Sequence, residues 1–347
     1  MRLIYDNLIY SLQIAGGIST YWSELSKRLI RDGTDVGFVE NQNDNIVRKE
    51  FSIDNKQIIK DFNFTNTINR FLAVPLTQIH QKFIFHSSYN RITNNPDALQ
   101  VVTVHDFVHE QYYRGLRKFL HSYQKNKALL SADKIIAISQ NTKNDLLKFH
   151  PSIRPDKIHV IYNGVSEDFY PMEKKVGTEN RPYLLFIGSR EPYKNFAFAV
   201  KALNELPDFD LCIVGSSLIA SELRDLNKYL PGRWHLFNKI SNQILNEVYN
   251  DAYGLIYPSS YEGFGIPLLE AMKCGTPFIA FKRSSIPEVA GEAGILLDEL
   301  DLDSFKKAIL SIDSNRTDLS KKGFDQVKKF SWEKCYQDTL DIYKELY

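Results

Sequence analysis

The chain has 347 residues, and its 43 Lys+Arg and 42 Asp+Glu leave a formal net charge of +1. This length is enough for two domains, and a content of 43% hydrophobic and 24% charged residues excludes a disordered chain. The balanced charge gives no overall attraction to nucleic acid, so we predict no nucleic-acid partner. Three widely spaced cysteines, without a Cys/His cluster, predict neither a structural zinc site nor a disulfide framework.

The sequence predicts a cytoplasmic protein. The segment MRLIYDNLIYSLQIAGG is interrupted by Tyr5, Asp6 and Asn7, so it lacks the continuous apolar core of a signal peptide. No run of about 18 apolar residues occurs, and no transmembrane helix is predicted. Binding to the inner face of the cytoplasmic membrane stays open, because a peripheral protein needs no such helix.

Short apolar runs alternate with longer amphipathic stretches along the whole chain. Most of these runs are continuously apolar, which is typical of parallel strands buried on both faces by helices. The predicted strands are Arg2–Tyr5, Val36–Val39, Phe83–Phe85, Val101–Val104, Lys134–Ile138, Ile158–Tyr162, Tyr183–Ile187, Asp210–Val214, Trp234–Phe237, Gly254–Tyr257, Phe278–Phe281 and Gly294–Leu297. Two successive sets of strands indicate an α/β protein with two Rossmann-like, doubly wound domains.

The predicted domain boundary follows Asn163-Gly164. We expect an N-terminal domain over 1–165, a C-terminal domain over 166–330, a linker at Tyr170–Pro182 and a terminal helix over 331–347. The first 165 residues hold 21 Lys+Arg and 15 Asp+Glu, a net +6, and the remainder holds 22 and 27, a net −5. This asymmetry favours an anionic acceptor or surface for the N-terminal domain, and chance asymmetry of solvated faces is the alternative.

The segment Tyr112–Leu130 combines aromatic and leucine side chains with cations. Its basic residues are Arg114, Arg117, Lys118, Lys125 and Lys127. A basic amphipathic helix of this kind can lie on anionic lipid, which predicts a peripheral membrane contact. The alternative is an ordinary packed helix with a basic outer face.

The segment Gly254–Phe281 is the most informative part of the sequence. It predicts a buried strand, a tight glycine loop at Glu262–Gly265, and a helix with Pro267 in its first turn and Gly275 as its C-terminal cap. Free backbone N–H groups and the positive end of the helix dipole would then lie beside the loop. Such a site binds phosphate.

Two carboxylates, Glu262 and Glu270, flank this predicted phosphate site. They would repel a phosphate if they pointed at it, and they are better suited to accept hydrogen bonds from sugar hydroxyls on either side. One would hold a ribose and the other a second sugar, with the phosphates between them. This arrangement indicates a nucleotide-sugar ligand.

The sequence resembles the retaining glycosyltransferase family 4, which has the GT-B fold with two Rossmann-like domains facing a central cleft. The resemblance rests first on the E-x7-E spacing of Glu262 and Glu270, with GFGIPL between them and EAMKCGTPFIA from Glu270 onward. Further anchors follow in family order across almost the whole chain. They are Gly16-Gly17, His105-Asp106, Ala137–Gln140, Ile161–Val165 and Gly188–Lys194.

The resemblance implies roles for the matching residues. Glu270 would hold the ribose hydroxyls, and Glu262 would contact the transferred sugar near the reacting centre. Arg190 and Lys194 would clamp the diphosphate and offset the charge of the leaving group, although Arg190 lies one position later than the commonest family pattern. The backbone of two short runs would line the sugar and the diphosphate respectively: Gly263, Phe264 and Gly265, and Ile266, Pro267 and Leu268.

In the N-terminal domain, the resemblance implies that His105 reaches the donor sugar and that Gly16 and Gly17 approach the diphosphate or the acceptor. Structural alternatives stay open for these residues, namely a satisfied polar histidine and a simple tight turn. For the two glutamates the alternative is helix capping, and for the two cations it is an exposed surface pair. No acidic pair is placed to hold a metal, so no metal and no cofactor beyond the nucleotide-sugar is predicted.

The implied activity is transfer of a sugar, with retention of configuration, from a nucleotide-sugar to an oligosaccharide or lipid-linked acceptor. The family context indicates surface polysaccharide assembly such as O-antigen or capsule, with mannose from GDP-mannose as the leading donor. The alternative is a non-catalytic nucleotide-sugar-binding or lectin-like module on the same fold. A nicotinamide-dependent oxidoreductase would need a glycine fingerprint that Ile14–Ile18 does not supply.

Overall fold

The computed structural model describes residues 1–62, 66–173 and 181–347, and it leaves the side chains of residues 66, 67 and 117 undescribed. Most of the predicted linker Tyr170–Pro182 therefore lies outside the described residues. The strands are β1 (Leu3–Asp6), β2 (Val36–Val39), β3 (Ile58–Ile59), β4 (Phe83–Ser87), β5 (Ala98–Val104), β6 (Lys134–Ala137), β7 (Ile158–Val160), β8 (Tyr183–Ile187), β9 (Asp210–Val214), β10 (Trp234–Phe237), β11 (Gly254–Tyr257), β12 (Phe278–Phe281) and β13 (Ile295–Leu297).

Helices alternate with these strands along the described chain. They are α1 (Ile9–Leu12), α2 (Gly17–Arg31), α3 (Asn66–Asn69), α4 (Val108–Tyr112), α5 (Gly115–Ser131), α6 (Gln140–Phe149), α7 (Phe196–Asn204), α8 (Ala220–Tyr229), α9 (Asn242–Asp251), α10 (Ile266–Cys274), α11 (Ile286–Ala290), α12 (Leu302–Leu310), α13 (Ile312–Val327) and α14 (Trp332–Leu346). The chain divides into two compact units, Met1–Asn163 with Trp332–Tyr347, and Gly164–Ser331. A β-bridge between Val165 and Ser331 lies in the second unit.

The first unit is built on a parallel sheet with the strand order β3-β2-β1-β4-β5-β6-β7. The terminal helix α14 packs on α2 of this unit, where the Tyr336 hydroxyl donates to Asp32 Oδ2 at 2.9 Å. A buried hydrogen bond of 2.6 Å joins the hydroxyls of Tyr5, on β1, and Tyr343, on α14. These contacts fix the last segment of the chain to the first strand and the first long helix.

The second unit is built on a parallel sheet with the strand order β10-β9-β8-β11-β12-β13. Its core includes apolar side chains of β8, β9, β11 and β12 packed against α7 and α12. Burial of both sheet faces explains why these strands have continuous apolar sequences. Two parallel sheets of this kind confirm the predicted α/β, doubly wound class.

Candidate active site

The strand order of the second unit defines where its ligand site lies. The chain proceeds outward from β8 to β9 and β10, and then continues from β11 on the other side of β8. In open parallel sheets, ligands bind at the carboxyl ends of the strands at such a switch point. The loops that follow β8 and β11 meet there, because the Ser260 N–H donates to the Tyr193 carbonyl at 2.8 Å.

These two loops bring Lys194 and Glu262 together, as two of the predicted site residues. Lys194 Nζ donates to Glu262 Oε1 at 2.5 Å, and the side chains are only 13% and 10% exposed. The ammonium also lies 5.5 Å from the ring centre of Tyr257. Burial and the Glu262 carboxylate together raise the pKa of Tyr257 well above its ordinary value. The site thus holds a shielded cation beside a carboxylate.

The backbone around Glu262 is held by two serines that follow β12. The Glu262 N–H donates to Ser284 Oγ at 2.7 Å. The buried Ser285 hydroxyl lies 2.9 Å from the carbonyl oxygens of both Glu262 and Phe264. The glycine loop is therefore fixed by side chains from a neighbouring strand end as well as by its own turn.

Helix α10 begins at the predicted place after the glycine loop. Its cap residue, Gly265, has φ +106°, a left-handed backbone that strains any residue with a Cβ, and Pro267 follows in the first turn. The side chain of Phe264 is buried against Phe330 at a ring distance of 5.8 Å. Gly275 ends the helix at φ +73°. The predicted loop and helix N-terminus are therefore present.

Glu270 lies in α10, where Tyr249 of α9 contacts it. The Tyr249 hydroxyl donates to Glu270 Oε2 at 2.7 Å, and Tyr249 is fully buried. Burial raises the pKa of Glu270 to about 7, and the hydrogen bond from Tyr249 opposes this rise. The carboxylate is consequently oriented through one oxygen and titrates close to neutral pH.

His105 and the Gly16-Gly17 pair lie in the first unit. His105 follows β5 and packs edge-to-face on Tyr21 with ring centres 5.0 Å apart. Its Nε2 is buried without a hydrogen-bond partner among the described residues, and burial lowers the pKa of His105 to about 4. The Gly16 carbonyl accepts hydrogen bonds from the hydroxyls of Ser19 (2.8 Å) and Thr20 (3.2 Å), so this glycine pair starts α2.

Comparison with known proteins connects both units to one family. The family model "Glycosyltransferase Family 4" matches residues 15–169, and "Glycosyl transferases group 1" matches residues 171–326. O-antigen chain mannosyltransferase B of Escherichia coli is 30% identical over 279 residues, which are 71% of this chain and 70% of that protein. The chain belongs to glycosyltransferase family 4.

Other relatives of this glycosyltransferase differ in their named activities. Alpha-maltose-1-phosphate synthase of Mycolicibacterium smegmatis is 27% identical over 256 residues, covering 65% of this chain and 66% of that protein. The crystal structure of HepE from Anabaena in complex with UDP-glucose superposes with a TM-score of 0.78 at 17% identity, and it covers all of both chains. This structural likeness confirms the predicted GT-B fold.

Arg190 of the glycosyltransferase does not contact Lys194 or Glu262 in the described structure. Its Nη2 donates to the carbonyl oxygens of Ser216 (2.9 Å) and Ser217 (2.8 Å), and its Nε lies 2.9 Å from Glu222 Oε2. The side chain is only 3% exposed. These contacts direct Nη2 to the loop between β9 and α8, and the predicted contact of Arg190 with a diphosphate stays a prediction.

The segment Tyr112–Leu130 of the glycosyltransferase is not one helix, because α4 ends at Tyr112 and α5 begins at Gly115. Lys125 is also not part of a basic outer face. It is 3% exposed, and its Nζ donates to Glu110 Oε2 at 2.9 Å and to the Asp106 carbonyl at 2.8 Å. The remaining predicted cations are the half-buried Lys118, the exposed Arg114 and Lys127, and Arg117, whose side chain lies outside the described residues.

Large apolar side chains are exposed along one stripe of α5. The stripe consists of Leu116, Phe119, Leu120, Tyr123 and Leu130, which are 70%, 65%, 38%, 62% and 55% exposed. Spacings of three or four residues place Leu116, Phe119, Leu120 and Tyr123 on neighbouring positions of the helix surface, and Leu130 lies two helical turns after Tyr123. The helix therefore presents an apolar outer stripe with basic residues beside it.

Four residues that hold the glycosyltransferase site were not identified from the sequence. Tyr249 contacts Glu270, Asn195 joins the two loops, and the serine pair supports Glu262; the residues are Tyr249, Asn195, Ser284 and Ser285. Only the Asn after Lys194 carries a local signal, since Asn tolerates a left-handed backbone. Each of the other three residues contacts a site residue that is at least 21 positions away in the sequence.

Among the described residues, no group of three or more His, Cys, Asp or Glu side chains is arranged to hold a metal ion. Within the same part of the chain, no helix combines the length and apolarity needed to cross a membrane.

Proposed function

We propose that this glycosyltransferase moves a sugar from a nucleotide-sugar donor, held by the unit Gly164–Ser331, to a glycan or lipid-linked acceptor in surface polysaccharide synthesis. The single observation that carries the proposal is the buried Lys194–Glu262 pair at the switch point, next to the glycine loop that starts α10. A shielded cation, a sugar-binding carboxylate and a helix N-terminus are the groups that a sugar diphosphate requires.

Each group has a proposed role in binding the donor. Tyr249 occupies Oε2 of Glu270, so the second carboxylate oxygen is the one we assign to the ribose hydroxyls. Lys194 and the N-terminus of α10 bind the diphosphate, and Glu262 accepts a hydrogen bond from the transferred sugar. His105 stays assigned to the donor sugar on the family resemblance alone.

The proposed reaction keeps the configuration of the sugar. The bond between the anomeric carbon and the diphosphate oxygen breaks, and the acceptor oxygen bonds to the same face of the sugar. The acceptor proton passes to an oxygen of the leaving diphosphate. Lys194 offsets the negative charge that grows on this leaving group, and we propose that it does so without a metal ion.

Mannose carried by GDP is the donor that we propose first. A relative at 30% identity is named an O-antigen chain mannosyltransferase, which also supports a role in O-antigen or capsule assembly. The fold relative that binds UDP-glucose and the maltose-1-phosphate synthase keep other donors in the test. Calorimetric titration with GDP, UDP, ADP and dTDP, each with and without Mg²⁺, identifies the base and tests metal independence.

We further propose that α5 contacts the inner face of the cytoplasmic membrane, where a lipid-linked acceptor resides. The exposed stripe of apolar side chains would enter the interfacial region, and Arg114, Lys118 and Lys127 would face anionic headgroups. The net charge of +6 on the first 165 residues supports the same surface. This contact is peripheral and does not span the bilayer.

A non-catalytic nucleotide-sugar-binding or lectin-like module is the competing function. Binding the diphosphate needs a cation in either case, but the Glu262 carboxylate kept beside the Lys194 ammonium, where both can act on the transferred sugar and its leaving group, favours an enzyme. The deciding experiment incubates the protein with GDP-mannose or UDP-glucose and measures released nucleoside diphosphate. An enzyme releases it steadily as the sugar is transferred to water or to an added acceptor, whereas a binding module binds the donor and releases none.

A further inference from the structure

Left-handed backbone at residues other than glycine is rare in the described structure. It occurs there at Asn90, Asn195, Lys239 and Ser284, with φ between 48° and 56°. This conformation strains L-residues and persists where the surroundings require it, which happens most often at functional sites. Two of the four, Asn195 and Ser284, are attached to the loops that carry Lys194 and Glu262.

Asn195 follows Lys194 directly and joins the loop after β8 to the loop after β11. Its Nδ2 donates to the Pro258 carbonyl at 2.8 Å and to Ser260 Oγ at 2.7 Å. The Ser260 N–H returns a hydrogen bond of 2.8 Å to the carbonyl of Tyr193. The residues on both sides of Lys194 are thus tied to the loop that leads to Glu262.

Ser284 holds the other member of the pair. Its Oγ accepts the Glu262 N–H at 2.7 Å, a contact that the left-handed backbone at φ 48° accompanies. A polar residue with left-handed backbone therefore adjoins each member of the pair. Asn195 follows Lys194 in the chain, and Ser284 accepts the hydrogen bond of the Glu262 N–H. In the described structure, the hydrogen bonds of the Asn195 and Ser284 side chains go to neither the ammonium nor the carboxylate.

We propose that Asn195 and Ser284 are positioning residues that set the distance between the Lys194 ammonium and the Glu262 carboxylate during sugar transfer. The inference rests on the proposed function, because it assigns these two residues to the reaction of that site. It predicts that loosening either loop reduces turnover far more than donor binding, since Glu270 and α10 are held by other contacts.

Glycine substitutions test this role without the usual risk of unfolding. Glycine adopts the left-handed conformation without strain, so Asn195→Gly and Ser284→Gly remove only the side chain. Asn90→Gly makes the same kind of change at a left-handed residue of the first unit, and it serves as the matched control. Thermal unfolding of all three variants measures any loss of fold.

We expect Asn195→Gly and Ser284→Gly to lower kcat for GDP-mannose or UDP-glucose by about 10- to 100-fold, as a misplacement near 1 Å would. The donor KM should change by less than about threefold, and Asn90→Gly should match the wild type. A double-mutant cycle of Lys194→Ala and Glu262→Ala adds a readout that a purely structural role would not move. In the wild type we expect the effects of the two substitutions on kcat to be coupled by about tenfold, and this coupling should largely vanish in the Asn195→Gly background.

Wild-type kcat in both glycine variants, or coupling that persists in the Asn195→Gly background, would overturn the positioning role. A loss of kcat that tracks the loss of thermal stability would also overturn it, because ordinary destabilisation would then explain the result. Failure of the proposed function looks different, since the wild type itself would then release no nucleoside diphosphate from either donor.

Discussion

Replacing Glu270 by Gln should stabilise the protein and weaken nucleotide binding at the same time. Burial raises the pKa of this carboxyl group from 4.5 to about 7, so the folded state favours the neutral acid. Its contribution to stability is complete below the unfolded pKa and is lost as the pH rises through the folded pKa. Gln keeps the neutral form and an acceptor for the Tyr249 hydroxyl at every pH.

The size of the effect follows from the pKa shift. The pKa of Glu270 rises by about 2.5, and each pKa unit is worth about 1.4 kcal/mol, so the free energy of unfolding changes by at most about 3 kcal/mol. The partial exposure of Glu270 reduces this figure. We therefore expect the advantage of Glu270→Gln in free energy of unfolding to grow by about 2 kcal/mol between pH 5 and pH 8. Urea denaturation at both pH values measures this difference.

The same variant should bind the preferred nucleoside diphosphate about tenfold more weakly at pH 8, since charge-assisted hydrogen bonds to the ribose are lost. Glu247→Gln changes an exposed carboxylate of α9 and controls for the loss of a charge alone. A stability difference that is the same at pH 5 and pH 8 would refute the buried-acid argument. Unchanged affinity in calorimetry would refute the ribose contact.

Three further variants test other parts of the site and the membrane surface. Lys194→Ala should lower kcat about 100-fold or more, because a fixed donor at the developing charge is removed, with little change in acceptor KM in steady-state kinetics. Tyr249→Phe should move the pH midpoint of nucleotide binding upward in calorimetric titrations, because the hydroxyl that lowers the pKa of Glu270 is lost. Leu116→Gln with Phe119→Gln should reduce co-sedimentation with anionic vesicles several-fold, and equal sedimentation would show that the apolar stripe does not contact lipid.

Most of the fold could be predicted from the sequence because its strands are buried on both faces. Continuous apolar runs such as Tyr183–Ile187 and Phe278–Phe281 have the same bounds in the structure. The two-residue strand Ile58–Ile59 was missed, because it is short and only half-buried at the sheet edge. The other edge strands, β7, β10 and β13, are longer and are predicted from the sequence, so local patterns fail mainly for a very short, half-buried strand.

The candidate site could be predicted only where its chemistry is local in sequence. The E-x7-E segment combines glycine, proline and carboxylate signals within a single loop and helix, and it indicated Glu262 and Glu270. Lys125 was placed on a basic face because its sequence neighbours are polar, whereas Glu110, 15 residues earlier, draws it into the interior. Pairing partners of buried charges are not visible in a local pattern.

The contacts of Arg190 bear on how the leaving group is stabilised. Its Nη2 donates to the Ser216 and Ser217 carbonyls and its Nε lies 2.9 Å from Glu222 Oε2, while Nε and Nη1 are both shielded from solvent without a hydrogen-bond partner in the described structure. A Cβ on Gly215 would lie 3.1 Å from Nη1, so the glycine leaves room for the guanidinium. We propose that an arginine held in this way mainly supports the neighbouring loop, and that Lys194 and the N-terminus of α10 offset most of the diphosphate charge. In the proposed reaction, a diphosphate that binds Lys194 would compete with Glu262 for the ammonium, because the two side chains are paired in the structure. Breaking that pair frees the Glu262 carboxylate to accept a hydrogen bond from the sugar, which would link donor binding to the alignment of the reacting groups.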